Sequence, residues 1–165
     1  MRAFQIQDVK SFMSHLLLSH TFDRFLVPEA SITTFNTFLI DGHIQKDYYS
    51  FDEADKEERD AQIYSRWEQL RPFCLSLIKG KKTPLGMKIV FQLSPENLEK
   101  ILRSNHLSLS ANDINGLFLN LKYDGKQLLA TTGTSLGIFT MDKTLEQIWD
   151  GLVASFLKKH QIPFT

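Results

Sequence analysis

Apolar and polar residues alternate along several segments of the chain, which is the pattern of strands with one buried face. The clearest case is Gly116–Tyr123, where every second residue from Leu117 onward is apolar. The turn dipeptide Asp124-Gly125 follows, and a second strand-like run continues over Lys126–Thr132. The pattern therefore predicts a β-hairpin in this part of the chain.

An earlier β-hairpin is predicted from the same signals. The stretch Ile32–Ile40 is rich in β-branched and aromatic residues, and Asp41-Gly42 is a turn dipeptide from which His43–Tyr49 would return. Shorter strands are predicted at Arg2–Gln7, Phe25–Val27, Gly86–Leu93 and Leu136–Thr140.

Apolar residues recur at spacings of three and four in four other segments, as in helices packed on one side. These helices are predicted from Asp8 to about Ser19, from Ile63 to the lysines around Gly80, after Ser94-Pro95, and from Leu145 to about His160. The fold class predicted is α+β, mainly antiparallel sheet with two β-hairpins and about four helices.

Similar short motifs recur in the two halves of the chain. Phe4-Gln5-Ile6 matches Phe91-Gln92-Leu93, Asp41-Gly42 matches Asp124-Gly125, and Trp67 matches Trp149, at offsets of 87, 83 and 82 residues. One hypothesis is an internal duplication of a strand-helix-hairpin-helix unit, with pseudo-repeats 1–80 and 86–162 related by a pseudo-twofold axis. The alternative is chance recurrence of common elements.

Composition narrows the class of protein. A chain of 165 residues with 42% hydrophobic residues can form a single domain over residues 1–165. Its 19 basic and 19 acidic side chains cancel, so no overall field favours nucleic acid or an anionic membrane. Cys74 is the only cysteine, and no run approaches the roughly 18 apolar residues of a membrane span. A cytoplasmic location without membrane insertion is expected.

One motif matches a catalytic pattern. Gly133-Thr134-Ser135-Leu136-Gly137 has the G-x-S-x-G form of a nucleophile elbow, and Asp150 and His160 follow in the order of an α/β-hydrolase triad. The motif requires a helix after the serine, whereas a strand is predicted there. Asp150 and His160 also lie about 15 Å apart along one predicted helix. A serine hydrolase using Ser135 is thus an alternative function, and no catalytic residue is assigned.

Hydroxyl groups and lysines form two candidate ligand-binding elements. They are Thr131, Thr132, Thr134 and Ser135 in one segment, and Lys79, Lys81 and Lys82 in another. Hydroxyls and flexible backbone amides can hold a phosphate or carboxylate, and lysines add positive charge. A hydroxyl-rich edge strand and a solvated helix end explain the same residues without function.

The function favoured by the sequence is a non-catalytic binding or interaction module for a small anionic ligand or a protein partner. A nucleic-acid-associated protein acting through Lys79–Lys82 is a second alternative, but no aromatic residues are interleaved with those lysines. The acidic run Asp52–Asp60 is interpreted as a solvated first helical turn or loop. Five histidines lack metal-ligand spacing, so no metal or cofactor is predicted. Cys74, Trp67 and Trp149 are interpreted as core residues.

Several short motifs resemble those of a small family of single-domain proteins of unknown function from clostridia-type Firmicutes. They are Val9-Lys10-Ser-Phe-Met13, Ile78-Lys-Gly-Lys81, Thr132-Gly-Thr-Ser135, Asp142-Lys-Thr-Leu-Glu146 and Trp149-Asp150. The resemblance covers nearly the whole chain. It implies no activity, cofactor or catalytic residues.

Overall fold

A computed structural model of the chain describes residues 1–48, 62–78, 80 and 82–165. These residues form an antiparallel six-stranded sheet and four α-helices, which confirms the predicted α+β class. The strands are β1 (Ala3–Ile6), β2 (Leu26–Thr33), β3 (Thr37–Asp41), β4 (Gly86–Gln92), β5 (Ile114–Tyr123) and β6 (Leu128–Leu136). The helices are α1 (Val9–Leu17), α2 (Trp67–Ile78), α3 (Pro95–Ser104) and α4 (Thr144–Lys159). The acidic run Asp52–Asp60 lies outside the described residues.

The strand order in the sheet is β1-β6-β5-β4-β2-β3, and all neighbouring strands pair antiparallel. β4 and β5 lie at the centre, and β1 and β3 at the two ends. The C-terminal residues extend the β1 end of the sheet, because Gln5 and Thr165 exchange two backbone hydrogen bonds. Ile6 also forms a bridge with Phe164.

Alternate residues of every central strand point into one hydrophobic core, and the helices cover that face of the sheet. The buried face includes Ala30, Ile32, Ile89, Phe91, Leu119, Leu121 and Ala130. Phe22 and Phe25 lie against Phe91 with ring centroids 5.5 Å and 5.3 Å away, and both also contact Phe156 of α4. The intervening strand residues lie on the opposite face, where solvent reaches them.

The helices are held to the core by their apolar faces and by two indole hydrogen bonds. Trp67 donates to the backbone oxygen of Leu16, and Trp149 donates to that of Phe118. The predicted caps are present, since Asp8 accepts from the backbone amide of Ser11 and Ser94 accepts from that of Asn97. Within the described residues, no helix has the length and apolar character that a membrane span requires.

Cys74 of α2 is fully buried in the core, as interpreted from its spacing. Burial raises the pKa of its thiol to about 11. The thiolate is therefore scarce at neutral pH, and the side chain acts as a small apolar residue.

A buried ion pair joins the loop after α1 to α2. The Asp23 carboxylate is 5% exposed and accepts two hydrogen bonds from the Arg71 guanidinium, at 2.9 and 3.1 Å. Burial favours a higher pKa for Asp23, but hydrogen bonds from Arg71 and His20 outweigh it and the pKa is lowered. The pair consequently stabilises the fold at neutral pH, and this contribution is lost as the pH falls through the lowered pKa.

The prediction of a turn at Asp41-Gly42 is wrong. β2 and β3 are joined at Thr34–Asn36, where the Thr34 amide donates to the Asn36 oxygen, and Asp41 is the last residue of β3. The sequence did not predict this short turn, because it contains no glycine and β-branched residues lie on both sides of it. Gly42 instead lies against β2, where its amide donates to the Pro28 oxygen.

Two other predicted boundaries are wrong. The segment Leu136–Thr140 is not a separate strand, because β6 continues to Leu136 and irregular backbone follows up to α4. α2 begins at Trp67 rather than Ile63, and the residues before it are extended, with a bridge between Arg66 and Leu26. In both cases, tertiary pairing overrides local periodicity.

The strand order contradicts the predicted pseudo-twofold relation between residues 1–80 and 86–162. A repeat would make β1 equivalent to β4, but β1 pairs with β6 at one end of the sheet and β4 is central. The two tryptophans also bond to different elements, α1 and β5. The internal duplication itself stays a prediction from the sequence.

Replacing Gly42 with alanine should strongly destabilise the protein. A Cβ at this position would lie 1.4 Å from the Val27 backbone oxygen, so β2 would have to move. We expect a loss of more than about 2 kcal/mol in the free energy of unfolding, measured by urea denaturation. Gly151→Ala is the control, because nothing lies within 4 Å of its Cβ. In α4 that change should stabilise by up to about 1 kcal/mol. Equal effects at both sites would contradict the close approach.

Candidate functional site

The solvent-facing side of the sheet forms a cleft of about 810 Å³. Strands β2 to β6 all contribute to it, together with His43 just beyond β3. The side chains that line it and point away from the core are Glu29, Ser31, Leu39, Asp41, Lys88, Val90, Asn120, Lys122 and Thr131. The strand register alone places these groups together, because they alternate with core residues.

Two lysines lie side by side at the centre of the cleft. Lys88 of β4 and Lys122 of β5 are directly opposite each other in the strand register. Directly opposite side chains have Cβ atoms about 4.5–5.5 Å apart. Both ammonium groups can therefore reach the same anionic group of a ligand. Both side chains are exposed, and the ion pairs found within the described residues include neither of them.

Hydrogen-bonding groups surround the lysine pair. Asn120 is two residues before Lys122 on the same face of β5, and Thr131 is opposite Asn120 on β6. Ser31 of β2 is opposite Lys88 on the other side. An amide and two hydroxyls therefore flank the two positive charges.

The carboxylates of the cleft lie on the β3 side. Glu29 and Asp41 are directly opposite each other on β2 and β3. Hydrogen bonds from the His43 backbone and imidazole lower the pKa of Asp41, so this group is ionised at neutral pH. The cleft is consequently basic on β4 and β5 and acidic on β2 and β3.

Like charges directly opposite each other are destabilising. The sheet contains one positive pair of this kind, Lys88 and Lys122, and one negative pair, Glu29 and Asp41.

The hydroxyl segment predicted from the sequence is divided by the structure. Of its members, only Thr131 lines the cleft. Thr132 is 1% exposed, and its hydroxyl donates to Asp150 at 2.5 Å and accepts from the Arg2 amide at 2.8 Å. The Thr134 hydroxyl is buried and has no hydrogen-bond partner among the described residues, and the Ser135 hydroxyl accepts from the Asn115 amide at 3.1 Å. These residues lie within β6 and do not form a turn.

Lys82 lies far from Thr134 and Ser135. Lys82 is exposed before the first residue of β4, whereas Gly133 is level with Gln92, the last residue of β4. Six residue steps separate these two ends of the strand, which is about 20 Å. Lys79 and Lys81 lie outside the described residues. Lys82, the described member of the possible second element, therefore does not come together with Thr134 and Ser135.

The geometry of a nucleophile elbow is absent around Ser135. β6 continues through Leu136, and the next helix begins only at Thr144. Asp150 is bonded to Thr132, and His160 lies against the Phe156 ring. Among the described hydrogen bonds, none joins Ser135 to a histidine. The alternative of a serine hydrolase thus loses its structural basis.

No group of three or more His, Cys, Asp or Glu side chains in the described part of the chain is arranged to hold a metal ion. His20 and His43 each bond to an aspartate through Nδ1, and His15 bonds to the Thr21 hydroxyl. These contacts are local and link residues close in sequence.

Sequence reasoning missed Lys88, Lys122 and Asn120. The alternation in β5 places Lys122 and Asn120 on the face opposite its leucines, so a signal was present. The pairing of β4 with β5 was not visible, because α3 lies between them in the chain and strand order is not encoded locally.

The chain belongs to a protein family of unknown function, DUF5721, whose model matches residues 15–165. This match confirms the resemblance to a family of proteins of unknown function. No curated protein and no solved structure matches the chain. The family and the fold therefore supply no function, and the cleft must be interpreted from its own chemistry.

Neutralising one lysine of the pair should stabilise the protein. Lys122→Gln removes the repulsion from Lys88, and we expect the free energy of unfolding to rise by about 0.2–1 kcal/mol at low salt. Salt should reduce the gain, because exposed charges are screened. Lys126→Gln is the control, since Lys126 lies beside Asp124 and its neutralisation should give no gain. A loss of stability in Lys122→Gln would show that the two charges do not repel.

Proposed function

We propose that the protein is a non-catalytic binding module that holds a small anionic ligand in the cleft on the open face of the sheet. The observation that carries this proposal is the Lys88–Lys122 pair, two like charges on adjacent central strands without an acidic partner among the described ion pairs. Such an arrangement costs stability in the free protein, and a bound anion relieves it.

The groups around the pair suit a phosphate or carboxylate. Lysine ammonium groups supply charge, and the Asn120 amide and the Thr131 and Ser31 hydroxyls supply further donors. The cleft volume of about 810 Å³ falls within the range of small-molecule sites. Val90 and Leu39 add apolar surface for the body of the ligand.

The acidic side of the cleft argues against nucleic acid. Glu29 and Asp41 would repel a phosphate backbone that ran across the strands. The exposed Lys82 lies outside the cleft. A compact anion that binds over β4 and β5 does not have to cross the carboxylates on β2 and β3, and it does not need Lys82.

A binding role also agrees with the residues available in the cleft. His43 is its one histidine among the described lining residues, and its Nδ1 is bonded to Asp41. No hydrogen bond among those described joins His43 to a serine, threonine or cysteine, so this histidine activates no hydroxyl or thiol in the described part of the cleft. The free, buried Cys74 suits a reducing compartment, and we place the protein in the cytoplasm.

Thermal unfolding with added anions tests the proposal. Pyrophosphate, ribose 5-phosphate and citrate serve as probes, and a probe at a hundred times its dissociation constant should stabilise by roughly 2.7 kcal/mol. We expect at least one probe to raise the Tm of the wild-type protein. The ligand-induced rise should be lost in Lys88→Gln and Lys122→Gln and kept in Lys126→Gln.

A ligand-induced rise that persists in both cleft variants would contradict the proposal. So would the absence of any rise across the panel. The second result would favour a protein partner instead, for which the loop between β6 and α4 is the natural contact, since Phe139 and Met141 there are 92% and 84% exposed.

A further inference from the structure

Arg66 occupies a fixed position beside β2, just before α2. The amide of Val27 donates to the oxygen of Ser65, and the amide of Trp67 donates to the oxygen of Phe25, both at 2.9 Å. These bonds flank the bridge between Arg66 and Leu26. The arginine backbone is therefore anchored on both sides, and its side chain projects from a rigid segment.

The guanidinium of Arg66 carries a buried donor that has no partner among the described residues. Its Nε is inaccessible to solvent and makes no hydrogen bond to any of them. An unpaired buried N–H group is costly, and no hydrogen bond to a described residue competes with a ligand for this guanidinium. Asp23 holds Arg71, and the described ion pairs include none for Arg66.

Arg66 is one of the residues that line a cleft of about 190 Å³. Apolar walls come from Leu26, Ile63, Tyr64 and Pro95, and polar groups come from Gln62, Gln92, Ser94 and Glu96. Two of the amides are already engaged, because Gln62 donates to the Tyr64 oxygen and Gln92 donates to the Asn115 oxygen. Ile63 is 60% exposed, so part of the apolar wall is open to a ligand.

We infer that this cleft, which we call the Arg66 cleft, is a binding site for a small carboxylate with an apolar body. The guanidinium fork matches a carboxylate, which can accept two parallel hydrogen bonds from the two terminal amino groups of the guanidinium. The apolar walls suit an aliphatic or aromatic group. A single arginine with Glu96 nearby favours a singly charged acid over a doubly charged phosphate.

The inference does not depend on the lysine-pair cleft. The two clefts share no lining residue, and the Arg66 cleft lies at the end of β4 where α3 begins. Loss of one site should leave the other intact.

Titration calorimetry with matched probes tests the inference. The probes are phenylacetate, its neutral isostere phenylacetamide, and phenyl phosphate. We expect phenylacetate to bind the wild-type protein at least tenfold more tightly than phenylacetamide. Arg66→Gln should weaken phenylacetate binding by about tenfold to a hundredfold, because a charge-assisted hydrogen bond is lost.

Three further variants separate the causes. Arg66→Lys keeps the charge without the planar fork, so its affinity should fall between those of the wild type and Arg66→Gln. Arg103→Gln, an exposed arginine in the last turn of α3, is the control and should bind as the wild type does. Glu96→Gln should bind phenylacetate more tightly, since a like charge has been removed.

Several results would overturn the inference. Equal affinity for phenylacetate and phenylacetamide would show that no carboxylate is recognised, and failure to bind phenylacetate would exclude the proposed class. Tighter binding of phenyl phosphate would assign the cleft to phosphate instead. If Glu96→Gln lowers both the Tm and the affinity, then Glu96 is the natural partner of Arg66. A folded Arg66→Gln or Arg66→Lys variant with wild-type affinity would exclude the arginine.

Discussion

The burial of the sheet on one face only is the constraint on which the rest of the structure depends. All four described helices contribute buried residues to one core, and the aromatic cluster of Phe22, Phe25, Phe91 and Phe156 lies between sheet and helices. Because side chains alternate along a strand, this burial also determines which residues face solvent. A register shift of one residue would exchange the two sets, so core and surface are specified together.

The candidate site follows from the same alternation. Ile89 and Leu121 anchor the central strands in the core, and their neighbours Lys88 and Lys122 then face outward side by side. Groups carried by central strands are held more firmly than groups on loops, which suits a site that must bring two like charges together. The lysine pair is thus positioned by the most buried part of the molecule.

Local sequence patterns predicted the elements better than their arrangement. The helix caps at Asp8 and Ser94 were visible because capping depends on neighbouring residues. The role of Gly42 was not visible from the sequence. A glycine is required at this position because the backbone lies in close contact with Val27, and not because the chain turns there. The partners of Lys88 and the environment of Arg66 depend on strands and segments distant in the chain. Among the predicted ligand residues that the structure describes, Thr131 lines the cleft and the others do not. Thr132 faces the core instead, because side chains alternate along a strand.

The most direct test of the account is an NMR titration of the protein, with its lysine side chains labelled with ¹³C, against pyrophosphate. If the open face of the sheet is the binding surface, the Cε signals of Lys88 and Lys122 shift together with one saturable midpoint, and the signal of Lys126 stays in place. Small shifts of similar size in all lysines, without saturation, would indicate screening by bulk ions. That result would contradict the assignment of the lysine pair as a ligand site.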